Sequence, residues 1–111
     1  MKNKYFIFLI LLLIVSILGC SKPAITTEVF AQCLTEKGAK MYGTEWCGHC
    51  KNQKSMFGEA FQYIDYTDCD KDPDACQTAG VRGYPTWDIK EELYPGTREL
   101  SKLAALTECE I

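Results

Sequence analysis

The chain opens with one block of almost exclusively apolar side chains and then changes to short, interrupted apolar segments. The block covers residues 5–18, follows two lysines, and is closed by Gly19 and Cys20. It is shorter than the roughly 20 residues that a membrane-spanning helix needs. A positively charged start, a short apolar stretch and small residues at the end are typical of a secretory signal. We therefore expect a signal peptide over residues 1–19 and a short tether over residues 20–26.

The end of the apolar block, residues 17–20, resembles the lipobox of bacterial lipoproteins. In that family the cysteine is lipidated and becomes the new N-terminus, which implies a lipid anchor on Cys20. An uncleaved helical anchor, or a plain signal that is cut near a cysteine, are the alternatives. All three export the rest of the chain, so we expect an extracytoplasmic, membrane-anchored protein on the periplasmic or cell-surface side.

After the tether, apolar residues recur first with helical spacing and then in short runs. A helix is predicted over residues 27–37, followed by a strand over 39–43 and a helix over 51–57. Residues 61–67 are rich in aromatic and β-branched side chains and predict a second strand. The apolar stripe of the first helix consists of Val29, Phe30, Cys33 and Leu34.

The second half predicts a short helix, a hairpin and a last helix. Asp72 followed by Pro73 is a favourable helix start. The hairpin strands are residues 86–89 and 93–94, and Thr97 is expected to cap the last helix. The resulting order, α, β, α, β, α, β, β, α, predicts an α/β fold over residues 27–111, with helices on a small mixed sheet.

Cysteine is frequent for a chain of this size. Seven cysteines occur in 111 residues, and six of them follow Cys20. A dense, even set in a small exported domain is typical of an oxidising compartment. The formal net charge is −3 and the sequence has no basic cluster, which argues against nucleic acid as a partner.

Cys47 and Cys50 are the main candidates for chemistry, because they lie three positions apart at a predicted strand-to-helix junction. The N-terminus of a helix offers unpaired N–H groups and a partial positive charge, and both favour a thiolate. The pair could instead be half of a zinc or copper site, but Cys69 and Cys76 are poorly spaced to supply the other half. We therefore expect a redox-active pair that needs no metal or other cofactor.

The two cysteines are expected to have different roles. Cys47, nearer the helix end, is expected to be the attacking thiolate, and Cys50 to resolve the mixed disulfide. His49, the single histidine of the chain, can carry positive charge and stabilise the Cys47 thiolate. The alternative for His49 is a solvated surface residue.

The motif Trp-Cys-Gly-His-Cys at residues 46–50, with Tyr-Pro-Thr downstream at 84–86, resembles the thioredoxin superfamily. The resemblance implies a thioredoxin-like fold, a cis Pro85 packed against the two sulfurs, and Tyr84 beside the substrate. Cys-Gly-His-Cys is similar to the motif of protein disulfide isomerases, whose potential is about −180 mV against about −270 mV for thioredoxin. The residues expected to tune the redox pair are Gly48, His49, Tyr84 and Pro85.

Residues 38–43 and 94–96 resemble the thioredoxin-like domain associated with bacterial vitamin K epoxide reductase homologues. That subfamily passes electrons between secreted proteins and a membrane quinone reductase. The expected partners are therefore cysteine-containing exported proteins and a membrane quinone-linked thiol oxidoreductase, with a lipid anchor in place of the fusion. Thioredoxins carry a buried acid six residues before the first cysteine, where this chain has Met41. That departure puts strong reductase activity in question, and Glu45 is expected to face solvent.

The other four cysteines are expected to be structural. A disulfide between Cys69 and Cys76 would contribute about 2.5 kcal/mol on the chain-entropy model, and a second redox pair is the alternative. Cys33 and Cys109 lie on the first and last predicted helices, and their pairing would contribute about 4.5 kcal/mol. Both could instead stay reduced, because six cysteines allow fifteen pairings.

Together these features predict a membrane-anchored thiol-disulfide oxidoreductase, with oxidation or isomerisation favoured over reduction. One alternative is a non-catalytic metal-binding or chaperone-like module that uses the same cysteines. Another is a structural domain in which every cysteine belongs to a permanent crosslink.

Overall fold

The computed structural model describes residues 3–5, 7, 19 and 24–111. Most of the expected signal peptide, the first residues of the tether and the expected lipidation site at Cys20 lie outside the described residues. In the part of the chain that is described, no helix has both the length and the apolar character needed to cross a membrane.

Residues 24–111 form a four-stranded sheet with helices packed on it. The strands are β1 (Lys40–Gly43), β2 (Asp65–Asp68), β3 (Thr86–Ile89) and β4 (Glu92–Pro95). The helices are α1 (Thr27–Glu36), α2 (Gly48–Phe57), α3 (Pro73–Ala79) and α4 (Leu100–Thr107), and a 3-10 helix spans Gly58–Tyr63. The strand order is β2-β1-β3-β4, with β1 parallel to β2 and β3 antiparallel to its two neighbours. The predicted α/β class with a small mixed sheet is confirmed.

Local chemistry sets the helix ends. The Thr26 hydroxyl accepts a hydrogen bond from the first turn of α1, and the Asp72 carboxylate does the same for α3. Pro73 occupies the first turn of α3, where its missing N–H costs nothing. α1 and α3 therefore each begin directly after a capping side chain.

The core lies mainly on one face of the sheet. Met41 of β1 is opposite Trp87 of β3, and both side chains are fully buried. The ring of Phe57 from α2 stacks on Phe30 of α1 with centroids 6.1 Å apart, and it lies 6.2 Å from Trp87. Successive strand residues face opposite sides, so Tyr42 packs on the other face, against the Cys69–Cys76 disulfide.

The predicted strand over residues 61–67 is wrong in its first half. Residues 58–63 form the 3-10 helix, and β2 begins only at Asp65. The Phe61 ring lies 6.1 Å from Phe57 and 5.4 Å from Tyr66. Burial of this aromatic side chain against α2 therefore outweighs its preference for a strand.

Two further expectations are wrong in detail. Thr97 does not cap the last helix, because α4 begins at Leu100 after Glu99, and the Thr97 hydroxyl instead donates to the carbonyl of His49 at 3.2 Å. Val29 is 47% exposed although it belongs to the predicted apolar stripe of α1. Ala31 is buried on that helix instead.

Candidate active site

Cys47 is the residue that caps the N-terminus of α2. β1 ends at Gly43, a short loop follows, and Cys47 adopts the extended backbone of a cap residue. Its sulfur accepts a hydrogen bond from the backbone N–H of Cys50 at 3.2 Å. A sulfur in this position lies at the positive end of the helix dipole, where a developing negative charge is stabilised.

Cys50 lies one turn inside α2 and is fully buried, whereas Cys47 keeps 7% of its surface exposed. Burial, followed by the hydrogen bond and the charge of Cys47, raises the pKa of Cys50 to about 11, against the lowering influence of a backbone hydrogen bond from Thr44 and of the Lys54 charge. The two thiols therefore differ in access, and burial disfavours ionisation of Cys50. Among the cysteines that the structure describes, only these two are outside disulfides.

The loop before β3 covers the site from the other side. The peptide bond between Tyr84 and Pro85 is cis, and Pro85 is buried. The Cys47 thiol donates to the carbonyl oxygen of Tyr84 at 3.5 Å. Residues that are 37 positions apart in sequence thus meet at the reactive sulfur.

Two exposed aromatic side chains flank this contact. Trp46 is 68% exposed and Tyr84 is 37% exposed. Their rings meet edge to face with centroids 6.0 Å apart. The indole N–H of Trp46 donates to the carboxylate of Asp70 at 2.7 Å, which fixes the ring beside Cys47.

His49 and Gly48 occupy the first turn of α2 and are exposed. The backbone carbonyl of His49 accepts the Thr97 hydroxyl. No hydrogen bond within the described residues joins the His49 imidazole to either cysteine, so its tuning role stays a prediction. The same part of the chain holds no group of three or more His, Cys, Asp or Glu side chains arranged to bind a metal ion.

The comparisons with known proteins agree with this geometry. A family model described as thioredoxin matches residues 24–107. This chain belongs to the thioredoxin family.

Curated relatives of this thioredoxin-family chain are redox proteins. It is 42% identical over 86 residues to the thiol-disulfide oxidoreductase LTO1 of Arabidopsis thaliana, covering 69% of this chain and 23% of that one. It is 36% identical over 74 residues to a protein disulfide-isomerase of Humicola insolens, covering 56% and 14%. The chain thus spans less than a quarter of the length of either relative.

Solved structures of thioredoxins are also similar. Oxidized mitochondrial thioredoxin 3 of Saccharomyces cerevisiae has a TM-score of 0.47 at 18% identity, covering 71% of this chain and 85% of that one. Oxidised thioredoxin of Plasmodium falciparum has a TM-score of 0.47 at 19% identity, covering 78% and 96%.

The remaining four cysteines of this thioredoxin domain form two disulfides. Cys33 at the end of α1 is bonded to Cys109 after α4, and Cys69 is bonded to Cys76 of α3. Cys69, Cys76 and Cys109 are buried. Both pairings considered from the sequence are therefore present, and neither involves Cys47 or Cys50.

Gln53 is a residue of the site that the sequence reasoning missed. It lies one turn after Cys50 on α2 and is fully buried. Its amide oxygen accepts from the indole N–H of Trp87 at 3.0 Å and from the backbone N–H of Arg98 at 2.7 Å, while its amide nitrogen donates to the Arg98 carbonyl at 3.0 Å. These bonds tie the active-site helix to β3 and to the loop before α4.

Lys54 is a second residue near the site that the sequence reasoning missed. Its ammonium lies 3.2 Å from the Glu45 carboxylate and 4.2 Å from the centre of the Tyr66 ring. Both Gln53 and Lys54 follow Cys50 at the three- and four-residue spacing that places side chains on neighbouring positions of one helix face. That spacing is the sequence signal that could have identified them.

Proposed function

We propose that this chain is an extracytoplasmic, membrane-anchored thiol-disulfide oxidoreductase that exchanges disulfides with cysteine-containing exported proteins. The observation that carries the proposal is the pairing of an N-cap sulfur, Cys47, with a fully buried thiol, Cys50, one turn below it. Such an arrangement suits attack by the outer sulfur and resolution by the inner one.

The reaction proceeds by two thiol-disulfide exchanges. In the reducing direction, the Cys47 thiolate attacks a client disulfide, one client sulfur leaves as a thiolate, and a mixed disulfide forms. Cys50 then gives up its proton and attacks the Cys47 sulfur, so that the second client sulfur leaves and takes up a proton. The client gains two electrons and the Cys47–Cys50 disulfide forms; oxidation of a dithiol client is the reverse.

Oxidation or isomerisation is the proposed direction. The Cys-Gly-His-Cys motif is similar to that of protein disulfide isomerases, and one of the relatives carries that name. Met41, which is buried, also occupies the position where thioredoxins carry the acid that supports resolution. Both features favour a chain that donates its disulfide.

The proposed location and partners rest on the N-terminal pattern and on the disulfides. A charged, apolar and small-residue start supports export, and Cys20 supports lipid anchoring. The Cys33–Cys109 and Cys69–Cys76 disulfides are suited to an oxidising compartment. A membrane quinone-linked thiol oxidoreductase is the proposed electron partner, and nucleic acid is not expected to bind.

Trapping of a mixed disulfide tests the proposed activity. In cells that produce the full chain with Cys50→Ser, Cys47 should remain bonded to client proteins, because the resolving thiol is gone. Acid quenching, alkylation and non-reducing electrophoresis would reveal the adducts. The matched control is Cys47→Ser with Cys50→Ser, which should form none. Equal amounts of adduct in both variants, or no adduct in either, would contradict the proposal.

The proposed anchor is tested separately by mass spectrometry of the protein extracted from membranes. The expected result is a lipidated N-terminus at Cys20 without the preceding residues. A chain that retains Met1 would contradict lipidation and leave the exchange chemistry untouched.

A further inference from the structure

The resolving thiol has no buried acid beside it at the position where thioredoxins carry one. Met41 is fully buried at that position and faces the core with Trp87. Yet Cys50 must lose its proton to resolve a mixed disulfide, although burial raises its pKa. The backbone hydrogen bond from Thr44 favours the Cys50 thiolate, and the charge of Lys54 favours it as well.

Lys54 is the charged side chain that the fold brings to this side of the site. It follows Cys50 by one turn of α2, on the same helix face, and its side chain is 22% exposed. Its ammonium lies 4.2 Å from the centre of the Tyr66 ring, within the range of a cation–π contact. The Glu45 carboxylate, 3.2 Å away, holds it from the other side.

The ring that holds Lys54 also borders the Cys50 sulfur. A methyl group added to Gly43 would lie 2.9 Å from Cys50 Sγ and 3.3 Å from Cε2 of Tyr66. Sulfur and ring therefore both lie close to the same glycine of β1. The Tyr66 hydroxyl is buried and has no hydrogen-bond partner among the described residues, so Tyr66 contacts Lys54 through its ring and not through its hydroxyl.

The charged groups around Cys50 and Lys54 come from the active-site helix, the loop before it and β2. Burial lowers the pKa of Lys54, but the hydrogen bond to Glu45 and the neighbouring Tyr66 side chain outweigh it and the net pKa is raised, so the ammonium persists. Burial and Cys47 raise the pKa of Cys50, and the Lys54 charge lowers it. The ionisable groups that act on Cys50 are Cys47 and Lys54, and those that act on Lys54 are Glu45 and Tyr66. Asp68 of β2 acts on Tyr66.

We propose that Lys54, held by Glu45 and the Tyr66 ring, is a positioning residue that stabilises the Cys50 thiolate while it attacks the mixed disulfide. It thereby assists the resolving cysteine, as a buried carboxyl does in other thioredoxins, but from the active-site helix. The inference rests on the proposed exchange activity. In this step the S–H bond of Cys50 breaks, the Cys50–Cys47 bond forms, and the client sulfur leaves with an electron pair and accepts a proton.

The test follows the reduced protein after mixing with excess 4,4′-dithiodipyridine, a neutral disulfide that releases an absorbing thiopyridone at each step. The first release, which depends on reagent concentration, reports attack by Cys47. The second, which is independent of it, reports resolution by Cys50. Lys54→Met should slow the second release about three- to tenfold near neutral pH and move its pH profile upward by about half to one unit, because each unit is a tenfold change in thiolate fraction.

The controls distinguish the effect of the Lys54 charge on Cys50 from the general effect of losing a lysine from α2. Lys51→Met removes the same charge from an exposed position of α2 and should leave the second release close to wild type. Lys54→Arg keeps the charge and should restore most of the rate. If Lys54→Met does not fold, Lys54→Gln replaces it with the same expected slowing.

Three results would overturn the inference: an unchanged second release, equal slowing by Lys51→Met, or equal slowing of both releases by Lys54→Met. Absence of a first release from the wild-type protein is a different result. It would refute the proposed exchange activity itself, and this inference with it.

Discussion

At the scale of single residues, the site depends on the different surroundings of two identical thiols. Cys47 caps a helix and keeps some exposure, while Cys50 is sealed beneath it with its pKa raised by burial. The packing around Cys50 is closest at Gly43, where the backbone of β1 lies directly against the Cys50 sulfur. A side chain at that position has no room, which gives this glycine a packing role.

Gly43→Ala should therefore destabilise the protein by about 1–3 kcal/mol, the usual cost of overpacking, because the new methyl group meets Cys50 Sγ at 2.9 Å. Urea unfolding with the two structural disulfides intact would measure it. Gly48→Ala is the matched control, since no atom lies within 4 Å of a methyl group there. Equal free energies of unfolding for the two variants would contradict this account.

At the scale of elements, the structure explains which sequence expectations held. Periodicity and capping residues placed α1, α3, β1 and β3 correctly, because local chemistry decides those elements. The segment over residues 61–67 was misplaced because Phe61 lies in a 3-10 helix, where its ring packs on Phe57 and Tyr66. Gln53 and Lys54 were missed because their partners, Arg98 and Tyr66, are brought close only by the tertiary structure.

Gln53 joins α2 to β3 and to the loop before α4 through its side-chain amide. Gln53→Ala should lower the free energy of unfolding by about 2–5 kcal/mol, since it opens a cavity and leaves the Trp87 indole and the Arg98 backbone N–H unpaired. Thermal and urea unfolding would measure the loss. Asn52→Ala, at an exposed neighbouring position of α2, should change stability by less than about 0.5 kcal/mol. A loss for Gln53→Ala no larger than for Asn52→Ala would show that the hydrogen bonds of Gln53 to Trp87 and Arg98 do not stabilise the fold.

At the scale of the whole molecule, two disulfides surround a redox pair that is separate from them. Cys33 and Cys109 are 76 positions apart and join the first helix to the end of the chain, while Cys69 and Cys76 are 7 apart and close a local loop. Both pairs were expected from the sequence, but only the fold shows that Cys33 of α1 lies next to Cys109 after α4. The longer loop restricts the unfolded chain more.

Replacing both members of each pair by serine should show this difference. The Cys33–Cys109 double variant is expected to lose about 4.5 kcal/mol and the Cys69–Cys76 double variant about 2.5 kcal/mol, as measured by urea unfolding. A larger loss from the shorter loop would contradict the ranking. Both variants should retain thiol-disulfide exchange at Cys47 and Cys50 when folded.

The central claim is that Cys47 and Cys50 form a reversible redox pair. Its most direct test equilibrates the protein in glutathione buffers of graded potential and follows both cysteines by acid quenching, alkylation and mass spectrometry. The account predicts one two-electron transition confined to Cys47 and Cys50, between about −120 and −180 mV, with the other two disulfides unchanged. A pair that stays fully reduced or fully oxidised across the whole range would contradict the claim.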